Sequence, residues 1–377
     1  MSDKASPPPW LWLFGSCGSG KTATGYDLFR QLTAEGRHVG YLELDQIGMC
    51  LPDDDELGHA VKSANLLAAL ESFSDVGAEG VVVSGDLAGR AMDRVLEQSD
   101  TNPVLVRLRA AASTYAERLE QRGAPQAYID WSATYDAIFT RSGDHDVETD
   151  ARTVSEVASD IRSAVGPWPR PSEGLPGEHV PPVSAEPSGT AILVCGPTAV
   201  GKSTVAWELF MRSLSDGTKT AYLDLDQIGF VHDDLDAIEL RARNLARMWS
   251  VFSARGARRL VLSGDVDADA LARYQQALPH LTISVHVLHA TAAKLVGRAL
   301  LRGAGRMTEL PGDRLLGQRP EVLTRIAQDA VERASQVEPL PGSHAHQTDE
   351  RAPADIAARI AAATFGPTST TTTTNKM

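Results

Sequence analysis

Short apolar runs alternate with longer amphipathic stretches along most of the chain. Ten runs have the length of a strand: "WLWLF", "VGYLELD", "GVVVSGD", "VLVRLR" and "HDVET" in the first half, then "AILVCG", "TAYLDLD", "RLVLSGD", "TISVHVLH" and a weaker run over residues 344–348. Apolar residues recur at helical spacing between them. This alternation predicts a parallel sheet with right-handed crossovers and helices on both faces. Ligands of such sheets bind beyond the carboxyl ends of the strands, so polar residues there are the first candidates for a site.

Two strings of one pattern follow the first strand of each half: "GSCGSGKT" at 15–22 and "GPTAVGKS" at 196–203. Both fit G-x-x-x-x-G-K-[ST], and each opens a helical stretch. Glycines let the backbone turn several N–H groups toward an anion, and the helix N-terminus adds its own unpaired N–H groups. The lysine then reaches the outer phosphates, and the following hydroxyl serves Mg²⁺. A glycine turn without a ligand is the alternative, but two matches in this context favour nucleotide binding.

This pattern predicts ATP and Mg²⁺ as cofactors. The residues predicted to bind the nucleotide are Gly15, Gly18, Gly20, Lys21, Thr22, Gly196, Gly201, Lys202, Ser203 and Thr204. Lys21 and Lys202 are also predicted to act in catalysis, and Thr22 and Ser203 to be metal ligands.

The two halves of the chain also match each other in sequence. Lys21 aligns with Lys202, and "YLELDQIG" at 41–48 aligns with "YLDLDQIG" at 222–229, both at an offset of 181 residues. "VVVSGD" aligns with "LVLSGD", and "AERLEQRG" with "VGRALLRG". A period this long is that of a whole domain, not of a solenoid repeat. The sequence therefore predicts an internal duplication: two P-loop NTPase domains of the α/β class, each a five-stranded, mostly parallel sheet with helices on both faces.

Composition sets the predicted domain boundaries. Residues 167–189 are dense in Pro, Gly and Ser and predict a semi-extended linker. Residues 366–377 form a low-complexity tail that is expected to be disordered. The first domain is predicted at 1–166 and the second at 190–365.

Several nucleotide-binding classes lack their signatures here. The chain has no N-K-x-D string of the GTPases, and "VLSGDV" only partly matches the signature of transport ATPases. The second loop is similar to that of tRNA prenyltransferases, but their D-S-x-Q string is absent. In element order each half resembles the small P-loop kinases, the nucleoside-monophosphate, shikimate and gluconate kinase group.

The most telling feature of the resemblance to these kinases is an Arg-x-x-x-Arg stretch after the fourth strand of each half. It comprises Arg118 and Arg122 in the first half and Arg298 and Arg302 in the second. The resemblance implies that these arginines belong to a mobile lid over the transferred phosphoryl group, where they act in catalysis. Arginines of an ordinary surface helix are the alternative.

Acids end the second and third strands of both halves. Asp86 and Asp265 close their strands and are predicted to support Mg²⁺, with helix capping as the alternative. Asp45 and Asp226 lie in the shared "LDQIG" string. The resemblance implies that they approach the acceptor hydroxyl as base or orienter, with an Asx-type turn as the alternative.

Further polar residues flank these acids. Glu43 and Asp224 lie two residues before Asp45 and Asp226, on the same face of the strand. They either add negative charge around the metal ion or are exposed to solvent. A [KR]-x-x-N-L string, with Lys62 in the first half and Arg241 in the second, lies in the region that holds the acceptor in nucleotide kinases. An exposed helix face is the favoured interpretation of that string.

Charge and composition limit the kinds of partner that the protein is expected to bind. A formal net charge of −13 over 377 residues disfavours nucleic acid as a partner but permits a pocket for one phosphorylated small molecule. No apolar run approaches the length of a membrane span, and the N-terminal stretch lacks the features of a signal peptide. Three cysteines without metal-ligand spacing fit a reducing compartment. We therefore expect a cytoplasmic protein with a small-molecule acceptor and no membrane association; the oligomeric state is left open.

The leading hypothesis is transfer of the γ-phosphoryl group of Mg·ATP to that acceptor, with one nucleotide site per half. The alternatives are a nucleotide-binding regulatory protein and a slow ATPase without an acceptor.

Overall fold

The computed structural model describes residues 7–52, 59–87, 89–135, 143–169, 189–232, 234–305, 310, 312–313, 315–336 and 340–365. The strands are β1 (Trp10–Phe14), β2 (Val39–Glu43), β3 (Cys50–Leu51), β4 (Gly80–Ser84), β5 (Val104–Arg109), β6 (His145–Glu148), β7 (Gly189–Cys195), β8 (Thr220–Asp224), β9 (Phe230–Val231), β10 (Arg259–Gly264), β11 (Leu281–His289) and β12 (His344–Gln347). The helices are α1 (Lys21–Ala34), α2 (His59–Asp75), α3 (Arg90–Gln98), α4 (Ala112–Gln121), α5 (Gln126–Tyr135), α6 (Val154–Val165), α7 (Lys202–Ser213), α8 (Asp234–Ala254), α9 (Ala268–Ala277), α10 (Ala292–Gly303), α11 (Pro320–Gln336) and α12 (Pro353–Phe365).

All ten strands expected from the apolar runs are present, within two residues of the expected bounds. Most of the expected linker (170–188) and the whole expected tail (366–377) lie outside the described residues, so those two expectations stay predictions. Across the described part of the chain, no helix is both long enough and apolar enough to cross a membrane.

The strands form two sheets with corresponding orders, β6-β5-β1-β4-β2-β9 and β12-β11-β7-β10-β8-β3. Five strands of each sheet are parallel, and the sixth is antiparallel. The expectation of five-stranded sheets is therefore wrong. The corresponding orders are what an internal duplication would produce, and the duplication itself stays a hypothesis.

The additional strand of each sheet comes from the other half of the chain. β9 pairs with β2, where Tyr41 lies opposite Phe230, and β3 pairs with β8, where Cys50 lies opposite Ala221. Both strands have only two residues, which is too short for a sequence pattern to predict. The halves thus exchange edge strands and close one edge of each other's sheet.

Aromatic packing holds the exchanged β9. The ring of Phe230 lies 5.4 Å from that of Tyr26, 5.7 Å from that of Tyr41 and 6.4 Å from that of Phe29, centroid to centroid. These distances are in the range at which aromatic pairs attract each other. Phe230 is therefore integrated into the first half, although it lies four residues after Asp226 of the second.

One hydrophobic core joins the two sheets. Alternate residues of a strand face opposite sides of its sheet, so Trp10 and Trp12 enter this shared core while Leu11 and Leu13 pack under α1 and α6. The second half contributes Trp249 of α8, which is fully buried. The two halves therefore bury one face of each sheet together.

Ion pairs also connect the halves, at the contact between α2 and α8. Nη2 of Arg247 lies 2.9 Å and Nη1 of Arg243 lies 3.0 Å from Oδ2 of Asp75. The side chains of Arg247 and Asp75 are both nearly buried. The net contribution of such a pair to stability is small, because desolvation offsets much of the attraction.

A histidine cluster lies at the opposite edge of the second sheet. Nδ1 of the fully buried His286 is 3.0 Å from Nε2 of His346, and the His286 ring stacks on that of His344. Burial, together with these two neighbours, lowers the pKa of His286 to about 4. His286 is therefore neutral at pH 7.

Stability is expected to fall between pH 6.5 and pH 4 because of His286. Its pKa is about 6.5 in an unfolded chain and lower in the folded protein, so unfolding takes up a proton in this window and becomes easier as the pH falls. The loss amounts to roughly 2–3 kcal/mol, measurable by urea unfolding at each pH. His286→Gln is expected to flatten this dependence, and His280→Gln, at an exposed position, to leave it unchanged. Parallel curves for the wild type and His286→Gln would contradict the assignment.

Candidate active sites

The first predicted phosphate loop connects β1 to α1 and turns through three glycines. Gly15, Gly18 and Gly20 all have positive φ angles, of 141°, 82° and 92°. A Cβ atom on Gly15 would lie 2.3 Å from the carbonyl oxygen of Leu108, so only glycine fits there. The glycines that the motif predicts are therefore required by the geometry.

The second loop connects β7 to α7 and follows the same path. Gly196 and Gly201 have φ angles of 141° and 102°, close to those of their counterparts Gly15 and Gly20. Ala199, at the position of Gly18, also has a positive φ, of 65°. A non-glycine residue in this region is strained, so the surrounding structure enforces the turn.

Both loops end at an uncapped helix. Gly20 and Gly201 are the N-cap residues of α1 and α7, and no side chain caps either helix. The first N–H groups of each helix have no partner within the helix and carry the positive end of its dipole. They are available to phosphate oxygens. Thr204, on the first turn of α7, is exposed.

The lysines fold back over their loops. Nζ of Lys21 donates to the carbonyl oxygens of Gly15 (2.8 Å) and Ser16 (2.9 Å), and Nζ of Lys202 donates to those of Gly196 (3.0 Å) and Pro197 (3.4 Å). Lys21 also forms an ion pair with Asp86 at 3.1 Å. Burial lowers the pKa of Lys21, but the Asp86 carboxylate together with the nearby Cys17 and Asp45 outweighs this effect and holds the pKa above its usual value.

Acids of the second strands contact the loop hydroxyls. Oγ of Ser203 donates to Oδ2 of Asp224 at 2.7 Å, and the Glu43 carboxylate lies beside the hydroxyl of Thr22. Asp224 and Glu43 are 4% and 2% exposed, which rules out the solvated interpretation. One carboxylate oxygen of Glu43, Oε1, is buried without a hydrogen-bond partner. Hydroxyl and carboxylate oxygens are the ligands Mg²⁺ prefers, so these pairs fit a magnesium ion beside bound phosphates.

The acids predicted to support Mg²⁺, Asp86 and Asp265, do not contact the loop hydroxyls and have other partners. Asp86 is buried, accepts from the backbone N–H of Gly15 at 3.3 Å and pairs with Lys21. Asp265 is exposed, and its backbone N–H donates to Oδ2 of Asp226 at 3.1 Å. A metal role for Asp86 and Asp265 stays a prediction, whereas Glu43 and Asp224 are the acids that contact the loop hydroxyls.

Asp45 and Asp226, the acids expected to approach the acceptor, are each paired with a cation from the following helix. Nζ of Lys62 lies 2.6 Å from Oδ1 of Asp45, and Nη1 of Arg241 lies 3.8 Å from Oδ1 of Asp226. The [KR]-x-x-N-L string is therefore not a plain exposed helix face. Its asparagines, Asn65 and Asn244, are fully buried and donate at 2.6 Å to the carbonyl oxygens of Ile47 and Ile228, respectively, which holds each "LDQIG" turn on its helix.

The two acids titrate in opposite directions. Burial raises the pKa of Asp45, but the Lys62 ammonium together with Lys21 and His59 outweighs this effect and holds the pKa below its usual value. Burial and the nearby Asp224 raise the pKa of Asp226 above its usual value. Asp226 is therefore the better proton acceptor of the two. Burial, followed by the charge of Asp45, raises the pKa of Glu43 to about 7.

The first arginine of each Arg-x-x-x-Arg stretch ties the phosphate loop to the last strand. Arg118 donates to the carbonyl oxygen of Gly18 (3.0 Å) and to the hydroxyl and carbonyl of Thr149. Arg298 does the same with Val200 (2.9 Å) and Thr348. These contacts position the loop from behind.

The second arginine of each stretch is placed differently. Arg122 is exposed, and Arg302 is held by Asp313 at 2.6 Å. A lid role for these four arginines stays a prediction.

The helix α5 covers the first loop, which sequence reasoning did not anticipate. Oγ of Ser16 donates to the carbonyl oxygen of Ser132 at 3.0 Å, and the hydroxyl of Tyr128 donates to Sγ of Cys17 at 3.0 Å. No motif marks α5. The one available signal was the pair of aromatic residues, Tyr128 and Trp131, which stack on each other in α5.

Comparison with known proteins gives a likeness of fold. No protein-family model and no curated protein sequence matches the chain. Among solved structures, the chain is similar to a gluconokinase from Sinorhizobium meliloti (19% identity, 42% of this chain and 93% of that one, TM-score 0.33). It is also similar to a shikimate kinase from Acinetobacter baumannii (18%, 42% and 93%, 0.32) and to an APS kinase from Mycobacterium tuberculosis (18%, 46% and 96%, 0.29).

These likenesses are partial. Each one covers less than half of the chain, at low identity, and none assigns a reaction to it.

Proposed function

We propose that this protein binds Mg·ATP at its phosphate loops and transfers the γ-phosphoryl group to a hydroxyl of a small-molecule acceptor. One observation carries the proposal. In the second half, Asp224 accepts from the hydroxyl of Ser203 through Oδ2 (2.7 Å) and from the backbone N–H of Asp226 through Oδ1 (3.1 Å). A single buried carboxylate thus joins the phosphate loop to the acid expected to meet the acceptor.

Each residue has a part in that reaction. The loop amides and Lys202 bind the phosphate tail, while Ser203 and Asp224 would hold Mg²⁺, which when bound neutralises phosphate charge. The acceptor hydroxyl forms a bond to the γ-phosphorus as the bond to the leaving ADP breaks, and its proton passes to Asp226. The raised pKa of Asp226 suits it to take that proton.

Arg241 supports the acceptor side of the site. Its Nε is buried without a hydrogen-bond partner, and its guanidinium lies beside Asp226. A guanidinium at this position can orient an oxygen-rich acceptor. Positioning of the two reactants, rather than proton removal, supplies most of the acceleration in phosphoryl transfer.

The test is ATP consumption by the full chain against a panel of small hydroxyl compounds, with the product identified by mass spectrometry. We expect ADP formation to depend on an acceptor, and Asp226→Asn to lower the rate by about 100-fold at unchanged ATP binding, as general-base catalysis typically contributes. Asp269→Asn, an exposed matched charge change on α9, is expected to have no effect. Mg·ATP binding with no acceptor-dependent ADP would instead favour the regulatory or slow-ATPase alternative.

A further inference from the structure

The two phosphate loops share a backbone path but differ in accessibility. Most residues of the first loop are buried, including Ser16 and Ser19 at 0% exposure and Lys21 at 8%. In the second loop every residue from Gly196 to Ser203 except Val200 is partly exposed. Two loops built on one motif therefore present different surfaces to a nucleotide.

The contacts of α5 account for the covering of the first loop. Two loop side chains are hydrogen-bonded to it, Ser16 through the carbonyl of Ser132 and Cys17 through the hydroxyl of Tyr128. Ser132 and Ile129 of α5 are themselves buried at 1% and 5% exposure. The helix is thus packed onto the loop and not merely near it.

The lysines of the two loops differ in how firmly they are held, and the lysine of the covered first loop is held more firmly. Lys21 is held by two carbonyl oxygens within 2.9 Å and by Asp86 at 3.1 Å. Lys202 has one carbonyl oxygen at 3.0 Å and another at 3.4 Å. A nucleotide must therefore break a buried ion pair to recruit Lys21, whereas Lys202 exchanges two neutral contacts for phosphate oxygens.

We propose that α5 is a latch on the first phosphate loop: Mg·ATP binds and reacts at the second loop, and the first loop accepts nucleotide only when α5 is displaced. This inference rests on the proposed function, since it concerns how nucleotide is divided between the two sites.

The latch is tested by titrating the full chain with the magnesium complex of the β,γ-imido analogue of ATP in a calorimeter. We expect one strong site, lost in Lys202→Ala, and a second site at least tenfold weaker, lost in Lys21→Ala. Tyr128→Ala is expected to strengthen only the weak site, by about tenfold, and Tyr128→Phe by about threefold, as loss of one hydrogen bond implies.

A second readout reports on the first loop alone. Cys17 is partly exposed while Cys50 and Cys195 are buried, so N-ethylmaleimide labelling followed by peptide mass spectrometry isolates the first loop. Labelling of Cys17 is expected to accelerate in Tyr128→Ala and Tyr128→Phe. It is expected not to change in Asp130→Ala, an exposed residue of α5 whose hydrogen bond is to Gln126 of the same helix.

The outcomes separate the two proposals. Two sites of equal strength in the wild type, or loss of the strong site in Lys21→Ala, overturn the latch and leave the proposed function standing. Unchanged Cys17 labelling in both Tyr128 variants also overturns the latch. No binding at either loop, in the wild type or in Tyr128→Ala, overturns the proposed function and the latch with it.

Discussion

Lys202→Ala is expected to lower acceptor-dependent ATP turnover by about 100- to 1000-fold, the cost of losing one well-placed electrostatic contact to the reacting group. The Lys202 ammonium lies over the open second loop with two replaceable carbonyl contacts, so it is free to turn to the phosphates. Its charge matters most as negative charge shifts toward the leaving oxygen, which makes the loss larger in kcat than in KM. Steady-state kinetics with saturating acceptor measures both.

Lys294→Ala is the control for this prediction. Lys294 is an exposed lysine on α10 of the same half, and its removal changes the net charge equally. We expect the Lys294→Ala variant to have the same acceptor-dependent ATP turnover as the wild type. A Lys202→Ala enzyme that retains more than a third of the wild-type kcat would show that the second loop is not where turnover occurs.

Trp249→Ala is expected to reduce the free energy of unfolding by about 3–5 kcal/mol, the usual range for removing a large buried aromatic side chain. Trp249 is fully buried in the core that both sheets share, so the cavity would destabilise the two halves together. Guanidinium unfolding should show a single transition that moves as a whole to lower denaturant concentration.

Trp207→Ala provides the matched control, because this tryptophan of α7 is 41% exposed. Its loss should cost much less than that of Trp249. Two separable transitions, with only the one of the second half shifted by Trp249→Ala, would contradict the view that the halves share one core. They would favour two independently folding domains.

The strands and the phosphate loops could be predicted because their determinants are local. A strand buried on both faces needs a continuous apolar run, as in β1 and β10, and such runs are visible without any tertiary information. The loops need glycine where φ is positive, as at Gly15 and Gly20, so their composition reports their backbone directly.

The sequence pattern placed the acids of the candidate sites but did not reveal which side chains they contact. The position of Glu43 and Asp224 at the ends of strands follows from the pattern, yet their contacts with Thr22 and Ser203 depend on how the strand end meets the loop. The helix carrying Lys62 was assigned an exposed face, because spacing along a helix does not reveal which neighbour covers it. The sequence-based expectation was wrong there for that reason.

The chain's own pattern determined the α/β class, the order of ten strands along the chain and the two glycine turns, since each depends on residues adjacent in sequence. Tertiary structure alone decided the exchange of β3 and β9, the common core around Trp249, and the covering of the first loop by α5. Each of these joins segments tens to hundreds of residues apart. Their contacts are selected by shape and burial in the folded chain, which no local periodicity records.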